Sequence, residues 1–459
     1  MTLIKSISGF RGTIGGKPGD NLTPIDAVKF AAAYATWIKS EGKGDTIVVG
    51  RDARVSGPMI TGLVNSTLIG MGLNVIDLGL STTPTVEMAV PAENAAGGII
   101  LTASHNPGQW NALKLLNHKG EFISAAEGKK LLAIADSGDM VFSEVDQLGS
   151  IVSNDTWIDK HIDLILERPE VDVDAVRNAN FSIAVDGVNS TGGIAIPRLL
   201  ERLGVSRVSE LYCEPNGLFP HNPEPLAENL AEISGLVKRE SLDMGIVVDP
   251  DVDRLCFVME NGEMFGEEFT LVAVSDYLLS LKPGNTVSNL SSTRALADVT
   301  KKHGGSYHAS AVGEVNVVEK MKEVNAVIGG EGNGGVIWPA LHYGRDALAG
   351  VALFLTMLAK NRMKLTELKA SYPIYEMSKN KIQLQPGMDI PSILKSVHDK
   401  YSHENVNTID GVKIEFESEW VHLRPSNTEP IIRIYAESSS AESAHALTEK
   451  IKAEVLAMV

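Results

Sequence analysis

Short apolar runs bounded by turn formers recur along most of the chain, with stretches of helical spacing between them. Ile47-Val48-Val49, ending in Gly50-Arg51-Asp52, predicts a strand, and Asn74-Val75-Ile76-Asp77-Leu78-Gly79 predicts the next. Between them Ser56-Gly57-Pro58 reads as an N-cap and first turn, leading a periodic helix to Met71. Gly97-Gly98-Ile99-Ile100-Leu101 predicts a short buried strand. This strand–helix–strand rhythm implies a mostly parallel α/β domain. Residues 137–155 are polar and weakly periodic, a candidate boundary. A second unit starts near Trp157: Phe181 to Gly187 reads as strand then turn, and Asn189-Ser190-Thr191-Gly192-Gly193 as a cap for the helix that follows. Glu214 to Pro225 carries four prolines and is expected to be an ordered loop. Met244 to Val248 predicts another strand, and a third strand-and-helix unit covers about 262–370. The last stretch differs. Val412, Ile414 and Phe416 alternate as in a half-exposed strand, and Ile431 to Tyr435 predicts a second. Ala444, Leu447, Ile451, Val455 and Met458 share one helical face, so this end suggests a small α+β domain with an antiparallel sheet.

Length and composition narrow the class. The 459 residues exceed one ordinary core and suit about three or four domains. A hydrophobic share of 44% with 22% charged residues is that of a globular protein. The net charge of -17 argues against a general nucleic-acid binder, which needs a basic face. Cys213 and Cys256 form neither a disulfide framework nor a thiolate metal site, and Cys256 reads as a small core residue. No signal-like or membrane-length apolar run is present, so the expected location is cytoplasmic and no membrane partner is expected.

Four stretches carry candidate chemistry. Thr102-Ala103-Ser104-His105-Asn106-Pro107 follows the apolar run at 97–101 and lifts a hydroxyl out of a strand end, with a histidine beside it. Such a hydroxyl is a candidate nucleophile or phosphate carrier, although Ser and Asn also serve ordinary turns. Asp249-Pro250-Asp251-Val252-Asp253-Arg254 places carboxylates at i, i+2 and i+4 after a strand. If the chain stays extended, all three point to one side. Their repulsion calls for a cation, and oxygen-only ligands select magnesium before zinc; a solvated acidic turn is the bland alternative. Arg424-Pro425-Ser426-Asn427-Thr428-Glu429-Pro430, with Arg433 following, holds the inventory of a phosphate cradle, or else of a polar hairpin. Gly329 to Gly335 is a Gly-rich stretch in which Glu331 and Asn333 could bond adjacent sugar hydroxyls. Arg11, in the Gly-rich turn from Ser8 to Thr13, and Lys114, with Asn111 upstream, add cations that by themselves are more often solvated.

Taken in order, these loops closely resemble the α-D-phosphohexomutase superfamily of phosphoglucomutases, phosphomannomutases and phosphoglucosamine mutases. The resemblance spans essentially the whole chain. It implies four domains around a central cleft, three of similar α/β topology and a C-terminal TATA-binding-protein-like α+β domain, over 1–153, 154–260, 261–372 and 373–459. Ser104 would be the phosphoserine, and Asp249, Asp251 and Asp253 with a phosphoserine oxygen would hold Mg2+. Glu331 and Asn333 would read sugar hydroxyls. Arg424, Ser426, Asn427, Thr428 and Arg433 would grip the phosphate that is not transferred. Arg11 and Lys114 match positions near the reacting phosphate, and His105 and Arg254 match motif positions, His105 beside the transfer and Arg254 towards substrate. The implied activity is an isomerase that interconverts 6-phospho and 1-phospho sugars through a hexose 1,6-bisphosphate. Its partner is a small phosphosugar, and the choice between monomer and homodimer stays open.

The chain departs from the family pattern in one place. Many members read Gly-Glu-X-Ser-Gly-His where this chain has Gly330-Glu331-Gly332-Asn333-Gly334-Gly335. The general base is therefore open among His105, Lys114 and His342. The altered loop resembles archaeal-type members described as phosphoglucosamine mutases, which points to glucosamine phosphate. A glucose or mannose phosphate mutase is the alternative, and a non-catalytic sugar-phosphate-binding protein a third reading.

Overall fold

In a computed structural model of the chain, which describes residues 1–6, 9–384, 388–426 and 431–457, the apolar runs become strands. Ser8, Asn427, Thr428, Glu429, Pro430 and Met458 lie outside the described residues. The chain divides into two compact units, residues 1–277 with 333–366, and residues 278–332 with 367–459. Among the described residues no helix is long and apolar enough to cross a membrane.

The first unit opens with a seven-stranded sheet in the order Ile4–Ser6, Gly9–Thr13, Trp110–Leu116, Gly97–Leu101, Thr46–Arg51, Asn74–Leu80, Ile151–Ser153. It is mixed rather than mostly parallel. Strand Thr46–Arg51 runs parallel to both its neighbours, but Trp110–Leu116 returns antiparallel to Gly97–Leu101. The loop 102–109 explains this, because a parallel crossover needs about a dozen residues or more. Helix Pro24–Glu41, closed at Thr23 by a capping box with Asp26, buries Phe30, Tyr34, Trp37 and Ile38. The Tyr34 hydroxyl donates to Leu116 O at 2.7 Å. A Cβ at Gly97 would lie 2.2 Å from that hydroxyl, so the strand must open on glycine for the helix to dock.

Within the stretch 137–155, Ile151–Ser153 pairs in parallel with Asn74–Leu80 and forms the last strand of this sheet. Ser56 precedes helix Gly57–Gly70 without capping it, since its backbone is already helical, and its hydroxyl accepts from Asn111 Nδ2 at 2.9 Å. Trp157, at the start of helix Trp157–Leu166, joins the cluster of Val48, Val86, Val90 and Ile100, and its Nε1 donates to Glu93 at 2.8 Å.

A second sheet in this unit has the order Leu255–Met259, Met244–Val248, Ser182–Asp186, Arg207–Leu211. Again one strand, Leu255–Met259, returns antiparallel across a short connection, here the acidic loop. Cys256 is buried in its core cluster. The four-proline loop is ordered: Gly217 N donates to Asn189 O at 2.9 Å, and His221 Nε2 lies 3.1 Å from Asp186. Ser190 and Thr191 do not cap helix Gly192–Arg202, because Thr191 is itself helical. Both hydroxyls donate instead to Pro250 O, at 2.7 and 2.8 Å.

In the second unit, Tyr307–Ser310, Asn285–Asn289 and Ala326–Glu331 are parallel strands. Gly329 and Gly330 therefore belong to a strand, not to a flexible loop. A Cβ at Gly329 would meet Met321 Sδ at 2.5 Å, so close packing requires the glycine. The C-terminal part is a five-stranded antiparallel sheet, Glu376–Gln383, Ile431–Ser438, Trp420–Pro425, Val412–Glu415, Asn405–Asn407. Helix Ala441–Ala457 buries Ala444, Leu447, Ile451 and Val455, as the spacing predicts.

His422 in this sheet is buried. Its Nε2–H donates to Asp410 O at 2.6 Å and its Nδ1 lies 2.9 Å from Ser291 Oγ. Burial holds its pKa down at about 4. The unfolded chain takes up that proton near pH 6.5, so stability is lost as pH falls from about 6.5 to about 4, by ~3 kcal/mol at most. In thermal melts between pH 7 and 4.5, wild type is expected to lose more stability than His422→Gln. Equal acid slopes would contradict this.

Candidate active site

Ser104 sits just beyond the carboxyl end of a fully buried strand, with its backbone in the left-handed region at φ 48. That conformation strains a serine by about 1 kcal/mol or more, and local bonds must hold it. Ser104 N–H donates to Thr102 Oγ1 at 2.9 Å, and Thr102 Oγ1 donates to Asp52 Oδ2 at 2.7 Å. Arg54 completes the support. Its Nε donates to Asp52 at 2.9 Å, Nη2 to Ser104 O and Asn106 O at 2.5 and 2.6 Å, and Nη1 to Pro107 O and Trp110 O at 2.7 and 3.0 Å. Arg11 Nη1 reaches the same loop, donating to Asn106 Oδ1 at 2.8 Å.

The Ser104 hydroxyl donates to Asp249 Oδ2 at 2.7 Å, across 145 residues of sequence. The acidic loop is not extended. Val252 has φ 63, Val252 N donates to Asp249 O at 3.1 Å, and Asp253 N and Arg254 N both donate to Asp249 Oδ1 at 3.1 Å. A tight turn, not strand alternation, brings the three carboxylates together, and all are buried. Lys114 Nζ donates to Asp251 Oδ2 at 2.6 Å and to Asp253 Oδ2 at 3.3 Å. Arg345 Nη2 donates to Asp253 Oδ2 at 2.7 Å, and Thr83 donates to Asp251 through its hydroxyl at 2.5 Å and its N–H at 2.8 Å.

Two buried oxygens, Asp251 Oδ1 and Asp253 Oδ1, have no hydrogen-bond partner among the described residues. Unpartnered, converging carboxylate oxygens fit a hard cation, and Asp249, Asp251 and Asp253 could together hold a metal ion. Burial, then Asp253 and Asp251, push the Asp249 carboxyl well up. Burial acts on Asp251 too, but the Lys114 ammonium outweighs it and holds that carboxyl below the usual range.

The candidate proton carriers separate cleanly. Burial opposes the charge on Lys114, yet Asp251 and Asp253 outweigh it, so Lys114 stays an ammonium and does not act as a base. His342 is locked between Asp346 at 3.2 Å and Glu87 at 3.4 Å; burial opposes its charge too, but these two carboxylates lift its pKa to about 10. It too is a fixed cation. His105 Nδ1 lies 3.4 Å from Ser104 Oγ. Burial, reinforced by Arg254, Arg11 and Arg345, pushes its pKa well down and leaves a neutral ring.

The remaining predicted residues divide between the two units. Arg254, buried in the first, donates from Nη1 to Glu224 at 3.2 Å, while its Nε has no partner. Asn333 Oδ1 accepts from Gly335 N at 3.2 Å. In the second unit Glu331 Oε1 accepts from Asn289 Nδ2 at 2.8 Å and Gly313 N at 3.2 Å. Arg424 and Arg433 face each other across adjacent strands, and Lys381 faces Arg433 on the other side. Three cations abreast on one face repel, although Asp410 stands 3.7 Å from Arg424. Arg433 Nε is buried and has no partner among the described residues. A row of this kind is suited to a bound anion. Ser426 N donates to Ile431 O at 2.9 Å at its edge, and Asn427 and Thr428 lie outside the described residues.

Family models for phosphoglucomutase/phosphomannomutase match the chain in sequence: alpha/beta/alpha domain I over 3–141, domain II over 159–262, domain III over 266–375 and the C-terminal domain over 376–454. The chain belongs to the phosphoglucomutase/phosphomannomutase family. Among its relatives is a phosphoglucomutase/phosphomannomutase of Thermococcus kodakarensis, 35% identical over 445 residues that cover 95% of this chain and 96% of the relative. Another is a phosphoglucosamine/phosphogalactosamine mutase of Sulfurisphaera tokodaii, 30% identical with 98% and 99% covered. The crystal structure of a phosphoglucomutase/phosphomannomutase family protein from Burkholderia thailandensis superposes with a TM-score of 0.84 at 26% identity, covering 99% of this chain and 96% of that one. The chain is thus a phosphohexomutase, an isomerase of three α/β domains and a C-terminal antiparallel-sheet domain.

Sequence reading of this phosphohexomutase missed Arg54, Thr83, Arg345 and Lys381. For Arg54 a signal existed, since Arg51-Asp52-Ala53-Arg54 places charges at a buried strand end. Without Arg54, buried Asp52 loses its ion pair and four loop carbonyls lose their donor. Arg54→Met is expected to cost ~3 kcal/mol or more of stability in denaturant unfolding and to reduce mutase turnover sharply. Arg54→Lys should recover little, because one ammonium cannot serve so many acceptors. Near-wild-type turnover in either variant would refute the supporting role.

Proposed function

We propose that this phosphohexomutase interconverts the 6-phosphate and 1-phosphate of a hexosamine, glucosamine phosphate first, through phosphorylated Ser104 and a hexose 1,6-bisphosphate. The observation that carries the phosphoserine reading is the strained Ser104, its hydroxyl bonded to one carboxylate of a buried acidic turn and its neighbour His105 neutral. In the transfer, the bond from phosphorus to Ser104 Oγ breaks as a bond from phosphorus to the free sugar hydroxyl forms. The proton of that hydroxyl passes to His105, and Ser104 Oγ leaves as an alkoxide that then takes up the proton. The bisphosphate turns around and the second half runs in reverse, returning the other phosphoryl group to Ser104. Such transfer depends on positioning and charge neutralisation more than on covalent help.

Asp249, Asp251 and Asp253 would hold Mg2+ with a phosphoserine oxygen, and the ion would neutralise charge on the transferring group. Lys114 and Arg11 would add fixed positive charge beside Ser104, and Arg254 would act towards substrate. Glu331 and Asn333 would read the sugar. Arg424, Ser426, Asn427, Thr428 and Arg433, joined by Lys381, would grip the phosphate that stays.

The hexosamine preference is supported by the Sulfurisphaera tokodaii relative and by the Asn333-to-Gly335 sequence. The Thermococcus kodakarensis relative favours a second reading, a glucose or mannose phosphate mutase. Phosphorus NMR with Mg2+ and catalytic hexose 1,6-bisphosphate would separate them, offering the 6-phosphates of glucosamine, glucose, mannose and N-acetylglucosamine one at a time. Glucosamine 6-phosphate is expected to convert fastest; faster conversion of glucose or mannose would establish the second reading. Ser104→Ala should abolish turnover while the chain still folds: it removes no core volume, but it takes the donor from buried Asp249 Oδ2, so a modest fall in melting temperature is expected. Wild-type turnover in that variant would sink the phosphoserine assignment, and no conversion by wild type of any sugar would favour a binding protein.

A further inference from the structure

Asp253 Oδ2 accepts from both Arg345 Nη2 and Lys114 Nζ, at 2.7 and 3.3 Å, which turns its partnerless Oδ1 the other way. Arg345 reaches that oxygen by crossing Gly335. A Cβ added at Gly335 would lie 2.3 Å from Arg345 Cδ and 3.0 Å from Cγ, with Asn333 Oδ1 next at 3.2 Å. Gly335 is not among the glycines in the left-handed region, so its backbone does not require glycine. The side chain that passes over it does. Both ends of the crossing are pinned: Ile337 and Arg345 form an antiparallel bridge, Asp346 N donates to Val336 O at 2.8 Å, and Ala347 N donates to Val252 O at 3.2 Å in the acidic turn itself.

We propose that Arg345 is a positioning residue for the acidic turn, and that position 335 is glycine so that the Arg345 stem can cross it to Asp253. The arginine fixes the rotation of the Asp253 carboxylate and presents Oδ1 with Asp251 Oδ1 to a cation. Lys114 alone, farther from Asp253 than from Asp251, does not fix that rotation. This inference rests on the reading of the acidic turn as the metal site.

The test is a double-mutant cycle over Gly335→Ala and Arg345→Ala, read in two ways. One is Mn2+ affinity of the metal-free protein without substrate, by electron paramagnetic resonance. The other is kcat and KM for the phosphosugar. Each single variant is expected to bind Mn2+ about tenfold more weakly, as for loss of a partner that orients a metal ligand. Each should lose kcat with KM nearly unchanged. The double variant should match Arg345→Ala in Mn2+ affinity, since the stem that the new Cβ would displace is gone and only Asn333 Oδ1, at 3.2 Å, stays beside it. Arg345→Lys should lie nearer to wild type than Arg345→Ala. Losses that multiply in the double variant, or Mn2+ affinity that is unchanged or tighter in Arg345→Ala, would overturn the proposal. Asp251→Asn separates the two readings: if it leaves wild-type Mn2+ affinity intact, the metal-site reading itself falls.

Discussion

Three buried carboxylates in one tight turn set the terms for the first unit. Ionised and unaccompanied, they would be costly to bury, so the chain must bring cations and donors to them from elsewhere. Lys114 comes from a strand of the first sheet, Thr83 from the start of a helix, Ser104 from a strand end and Arg345 from the segment before helix Ala347–Asn361. The turn itself is tied down where Ser190 and Thr191 donate to Pro250 O. Even so, two carboxylate oxygens stay without a partner. A turn built for stability alone would have little reason to keep them.

The same topological device appears twice in this unit. A strand running parallel to its neighbours hands over to an antiparallel partner through a connection too short for a crossover. The Ser104 loop and the acidic turn are those two connections. Both therefore lie at the carboxyl ends of parallel strands, where open α/β sheets tend to bind ligands. Shortness also explains the positive φ at Ser104 and Val252, because a few residues must reverse the chain and still aim a side chain.

Much of this was legible in the sequence wherever the cause is local. Buried strands, the apolar face of helix Ala441–Ala457 and the chemical character of the Ser104 and Asp249 loops follow from residue type and spacing. What failed was decided by specific partners, some far along the chain and some a turn away, that residue type does not announce. Ser56 and Thr191 look like caps, but Asn111 and Pro250 engage the Ser56 and Thr191 hydroxyls. The aspartates converge by a turn because Asp249 bonds two backbone N–H groups ahead of it, not because a strand alternates. The run from Gly329 looked like an open loop until Met321 was placed against it. Arg345 carried no signal of its own, since its meaning depends on Asp253 and on an absent side chain at 335. His342, plausible as a base from its residue type, is a fixed cation because two carboxylates flank it.

The span of these pairings also bears on synthesis. Asp253 and Arg345 are 92 residues apart, so a chain growing at about 5–20 residues per second holds the finished acidic turn for roughly 5 to 20 s before Arg345 exists. Over that interval Lys114 is already made and Arg345 is not, so Asp253 Oδ2 has one of its two cationic donors. The nascent turn is then a strongly negative, incompletely paired patch, and closure of the first unit waits on a segment that leaves the ribosome late. Contacts this distant are entropically slow to close, which makes the arrival of residues 333–366 the event that completes the unit.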